Sequence, residues 1–156
     1  MIQSISILQS EVYEEVSKAS DYVGSKMLGD DSGARERILA TDAVLDDLTR
    51  FWDESILVVN ENFKDILHSF TEEVVNGDKK LSFSFEVSVS FDENLLPNVK
   101  KAIKNFFILS IIAQWFKYTN KGESQDYFNQ SAEMITAAER LLYSRKKPVA
   151  PRPDRI

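Results

Sequence analysis

The clearest pattern along the chain is Lys80 to Phe91, KLSFSFEVSVSF, where apolar and polar residues alternate almost without fault. Leu81, Phe83, Phe85, Val87, Val89 and Phe91 share one face, and Ser82, Ser84, Glu86, Ser88 and Ser90 share the other. That period of two is the mark of a half-buried β-strand. The whole stretch reads as one strand of roughly 40 Å at about 3.3 Å per residue.

The remaining patterns are helical. From Ile5 to Met27 the apolar positions step by threes and fours, ending at the turn cluster Gly29-Asp30-Asp31-Ser32-Gly33. A second stripe, including Trp52, Ile56, Val59, Phe63, Ile66, Phe70 and Val74, runs through residues 34–75 without proline or glycine. It exceeds an ordinary globular helix, so a break is expected near Thr41-Asp42 or around Asn60 to Asn62. Asn76-Gly77-Asp78 closes it, with Gly77 as a left-handed helix cap. After the strand, Pro97 opens a helix reaching about Tyr118 whose second half is apolar nearly all round. A last helix covers about Glu123 to Ser144.

These elements predict a mainly α chain of the α+β class: a bundle of about four to five helices, with one long β-strand or arm inserted before the last two. Residues 1–144 form one domain and 145–156, with three prolines, an extended tail. Length and composition agree, since 156 residues at 43% hydrophobic and 28% charged suffice for one core and exclude wholesale disorder. Cysteine is absent, which removes disulfides, thiolate metal sites and cysteine nucleophiles. The start, MIQSISILQSEVYEE, lacks the regions of a signal peptide. The most apolar run, Phe106 to Phe116, is about half the length a membrane span needs, so a soluble protein without a membrane partner is expected.

Charge changes the picture at one end. Net charge is −6, yet Arg145, Lys146, Lys147, Arg152 and Arg155 face Asp154 alone, which makes the tail +4 and the body −10. An acidic body disfavours broad contact with nucleic acid. The tail has three readings: a solubilising end, a grip on nucleic acid or an acidic surface, or an arm ordered on a neighbouring subunit.

Candidate chemistry is sparse. His68, the single histidine, has no nucleophile motif around it. The pairs Asp46-Asp47, Asp53-Glu54 and Glu72-Glu73 diverge by about 100° on a helix and read as a solvated face. No phosphate loop, zinc-protease or nucleophile-elbow motif occurs. The expectation is a protein that is not an enzyme, with no catalytic residues, no metal site and no cofactor. A hydrolase site assembled across helices is the least favoured alternative.

The strand needs a neighbour for its backbone groups. Within the chain the other alternating scrap is Ser4-Ile5-Ser6-Ile7, short beside twelve residues. An exposed apolar strand invites association, so pairing between chains gains weight.

Lys80 to Pro148 resembles small proteins from the structural gene clusters of phages and prophages of Bacteroides-type bacteria. The matching features are Phe83 and Phe85 in the strand, Gln114-Trp115-Phe116, Thr119-Asn120-Lys121, Tyr127-Phe128, and Leu142-Tyr143-Ser144-Arg145-Lys146-Lys147-Pro148. The resemblance implies a virion component of the head-tail connector or tail-joining type, found in the virion and, during assembly, in the host cytoplasm. Its implied partners are copies of itself, as in a ring, and other virion proteins, with DNA only passing or held by the tail. Phe83, Phe85, Val87, Val89, Arg145, Lys146 and Lys147 are the expected subunit interface. The alternative is a small regulatory or nucleic-acid-binding factor using the basic tail.

Overall fold

The structure, a computed structural model, describes residues 1–26 and 44–146, with backbone alone at 25 and 26. The expected break at Thr41-Asp42, Lys147 and the rest of the tail lie outside the described residues. In chain order the elements are β1 (Ile2–Leu8), α1 (Gln9–Lys26), α2 (Leu45–Asn62), β2 (Leu67–Val75), β3 (Asp78–Glu86), a 3-10 turn (Glu93–Leu95), α3 (Leu96–Thr119) and α4 (Lys121–Leu142). The chain is mostly helical and of the α+β class, with four helices and a three-stranded sheet among the described residues.

The strand content corrects the sequence reading in three places. β3 is the alternating stretch, but it spans Asp78–Glu86 rather than residues 80–91. Beyond it the chain turns, with the Phe91 amide bonded to the Ser88 carbonyl at 3.0 Å, so the alternation outlasts the ladder. Second, β3 is the central strand of an antiparallel sheet ordered β1-β3-β2. Ile5 pairs with Phe83 and Ile7 with Leu81 on one side, and Phe70 pairs with Phe83 on the other. Both edges of β3 are therefore laddered by its own chain, and the short N-terminal segment is one of the partners. Third, residues 67–75 are strand, not helix. The helix stops at Asn62, and Asn76 and Gly77, at φ 52° and 79°, form the two-residue loop of a β2–β3 hairpin. Asn-Gly suits that loop because both central residues need positive φ.

One face of the sheet is apolar and carries the core. Leu81, Phe83 and Phe85 are fully buried, with Ile5 and Ile7 beside them. Phe63 at the end of α2 packs edge-on against Phe85 at 5.5 Å, and Phe107 of α3 bridges Trp52 at 5.0 Å to Phe83 at 6.4 Å. The other face is lined by hydroxyls, with Ser4 bonded to Ser84 at 2.7 Å and Ser6 to Ser82 at 3.1 Å. At the start of α1, the Asp78 carboxylate accepts from the Ser10 amide at 3.1 Å, which anchors that helix to the sheet.

Candidate functional site

The residues expected to join subunits are dispersed by the fold. Phe83 and Phe85 are sealed in the chain's own core, and Val87 is buried at the end of the ladder. This corrects the idea of a strand left open: β3 has no free edge, and it is covered by α1, by Phe63 just past α2 and by Phe107 of α3. Val89 stands in the turn beyond the strand at 86% exposure. Arg145 and Lys146 are exposed, and the Lys146 amide bonds to the Ser90 carbonyl at 2.7 Å. Glu72 and Glu73 lie on β2, where they reach Lys79 at 3.5 Å and Lys80 at 4.0 Å. With the bulge between Leu67 and Ser69, those charges blunt the free edge of β2 against strand addition.

What remains open is a groove of about 870 Å³ on the helical side, floored by α3 and walled by α2 and α4. Three contacts give its direction. Phe51 of α2 stacks on Tyr118 of α3 at 6.3 Å, Ser55 bonds Ser110 at 3.0 Å, and Ser124 of α4 donates to the Ala113 carbonyl at 2.9 Å. The first two set α2 antiparallel to the floor, and the one-residue link at Asn120 turns α4 back along α3. One end of the groove holds Arg50, Lys117 and Tyr118; the other holds Asn62, Ile135 and Glu139. From Arg50 to Asn62 it follows α2 for about 18 Å, at 1.5 Å per residue.

The groove's hydroxyls are internally bonded, while Arg50, Glu54, Lys117 and Glu139 bring charge to its lining. The Ser55 hydroxyl donates to the Phe51 carbonyl at 2.8 Å and bonds Ser110, while Gln114 Nε2 reaches the Ser110 carbonyl at 3.3 Å and hydroxyl at 3.2 Å. Ser131 donates to the Phe128 carbonyl at 2.7 Å and Thr136 to that of Ala132 at 3.2 Å. Phe51, Phe106 and Ile135 are buried beneath them. Satisfied hydroxyls over apolar side chains, edged by Arg50, Glu54, Lys117 and Glu139, suit a partner surface that is apolar at its centre and charged at its rim.

Large apolar side chains are exposed on this side of the molecule: Val58 (41%) and Tyr118 (68%) line the groove toward different ends, and Leu57 (67%) stands next to Val58 on the outer side of α2. Neither Leu57 nor Val58 belongs to the core stripe of α2, and that displacement is the sequence signal that could have found the site. Around them stand Arg50, 3.7 Å from Asp47 and over the Phe51 ring at 5.1 Å, and Glu61, 3.0 Å from Lys64.

The hydrogen bond to Glu61 holds the Lys64 ammonium above its usual range. Burial, and then the charges of Asp53 and Glu72, push the Tyr13 phenol above its usual range, against a weak bond to Thr49. Burial, with Glu123 nearby, does the same for Tyr127. Among the described residues no group of three or more His, Asp or Glu could hold a metal ion, and no helix is long and apolar enough to cross a membrane. No family model matches the chain, and neither a curated protein nor a solved structure matches it.

Proposed function

We propose that the chain is a non-enzymatic assembly protein, joined to copies of itself through the α2 wall of its helical groove rather than through its central strand. The observation that carries this reading is the adjacent pair Leu57 and Val58, both exposed on the outer side of α2, with Val58 lining a groove whose hydroxyls are internally bonded. Adjacent exposed apolar side chains rimmed by charged residues are characteristic of interaction sites. The resemblance of Lys80 to Pro148 to phage structural-cluster proteins supports placing that assembly in a virion, as a head-tail connector or tail-joining component. The −10 body supports DNA as a passing neighbour rather than a bound ligand.

Sedimentation velocity across a range of concentrations tests the reading. The wild-type chain should grow in mass with concentration. Leu57→Asp combined with Val58→Asp should hold it at the monomer, because two charges would have to enter an apolar contact. Its urea midpoint should stay near the wild-type value, since both positions are exposed. A wild-type chain that stays monomeric at every concentration, or a double variant that still associates, would overturn the proposal.

A further inference from the structure

Along α2 the positions Arg50, Glu54, Leu57 and Glu61 are spaced four, three and four residues apart. This is the interval that keeps a line of side chains facing a neighbouring helix. All four are exposed; Arg50 and Glu54 border the groove, and Leu57 and Glu61 continue the same line along the outer side of α2. Their charges are arranged in a particular order: positive at the N-terminal end, negative at the C-terminal end, and an exposed leucine near the middle.

That order decides how this line can meet another copy of itself. Set parallel, Arg50 would face Arg50, Glu54 would face Glu54 and Glu61 would face Glu61, placing like charges at three of four positions. Set antiparallel, with the symmetry axis between Glu54 and Leu57, Arg50 of each copy faces Glu61 of the other and Glu54 faces Leu57. The two leucines then lie diagonally across the axis. Isologous contacts require this kind of self-complementarity. The pairs to be given up, Arg50 with Asp47 and Glu61 with Lys64, are exposed contacts within one turn and contribute little.

We propose that two copies of the chain associate through α2, antiparallel across a twofold axis between Glu54 and Leu57, with Arg50 paired to Glu61 of the second copy at both ends. The inference rests on the reading of the groove wall as the joint, and adds its register and symmetry. A twofold contact closes at two copies, so a ring would need a further surface.

Charge exchange on the full-length chain tests it by sedimentation velocity. Arg50→Glu alone and Glu61→Arg alone should each weaken association by about tenfold or more, because each places like charges at both ends of the contact. An equimolar mixture of the two singly substituted chains should recover it as a 1:1 pair, since every reversed charge then meets its complement. The chain carrying both substitutions should recover it too. Positions 50 and 61 are about 16 Å apart along the helix, so rescue cannot arise within one copy. Glu54→Leu should tighten the pair by extending the apolar centre. Recovery in the mixture also demonstrates that both variants fold. Wild-type association indifferent to the single reversals, or a mixture that stays monomeric, overturns the register while leaving the joint itself standing. A monomeric wild type overturns both.

Discussion

The two flanks of α3 were built from the same kind of sequence and finished differently. Toward the sheet, Ile103, Phe107 and Ile111 are fully buried, and Phe107 touches the rings of both Trp52 and Phe83. On the opposite flank the helix presents Phe106, Ser110 and Gln114 to a groove that no described residue closes. The first flank is packed by long side chains from three elements. On the second, beside the buried Phe106, Ser110 and Gln114 offer small or amide side chains, bonded to each other and to Ser55 of α2. An apolar helix can thus be half core and half platform, and the size of the residues on each flank decides which is which.

The sharpest way to break this comparison is to remove a ring from the sealed flank. Phe83 is fully buried between Phe70, Phe85 and Phe107. Phe83→Ala should cost about 3–5 kcal/mol of stability, combining lost transfer energy with the cavity left behind. Urea unfolding would measure it against the α2 variant Leu57→Asp with Val58→Asp, whose exposed positions should cost within about 0.5 kcal/mol each. Comparable losses for the two would mean that the flanks are energetically alike.

The sealed flank was partly legible in the sequence. Alternation announced β3, and the apolar run of α3 announced the buried helix. The partners of β3 were harder to read for physical reasons. Ile5 and Leu8 continue the three-and-four spacing of α1 across a strand–helix junction, which hides β1. Ile66, Phe70 and Val74 recur every four residues, so β2 imitates a helical stripe. A bulge between Leu67 and Ser69 also offsets its own alternation. Asn76-Gly77 therefore reads as a helix cap, although the same dipeptide is the strongest short-range hairpin signal. The groove could not be read locally, because its walls come from helices separated in the chain by β2, β3 and α3. Leu57 and Val58, apolar but off the core stripe of α2, were its one trace.

The hairpin loop sharpens the comparison from the edge of the sealed half. Gly77 sits at φ 79°, where an added Cβ would meet no atom within 4 Å, so the cost of a side chain there is backbone strain alone. Gly77→Ala should destabilise by about 1–2 kcal/mol. The loss should appear in urea unfolding and as faster amide exchange in β2, while sedimentation of the folded chain stays that of the wild type. A neutral substitution would mean that the loop relaxes freely and that β2 is loosely held.

The smallest expected effect concerns the far end of the same ladder. The amino group of Met1 donates to Glu86 Oε1 at 2.8 Å, and this bond holds the Glu86 carboxyl below its usual range, against slight desolvation and with help from the amino group's charge and His68. A carboxyl whose folded pKa is depressed binds protons more readily in the unfolded chain. Its contribution is therefore present above the ordinary glutamate pKa and fades as pH falls through the lower folded value. Glu86 is exposed, so solvent screening keeps that contribution small. The difference in urea midpoint between wild type and Glu86→Gln should accordingly be modest near about pH 6 and should close toward about pH 3. A difference that persists or widens in acid would assign the effect of the substitution to packing at the strand end rather than to the ion pair. The seal between β1 and β3 would then be a matter of the ladder and its apolar face alone.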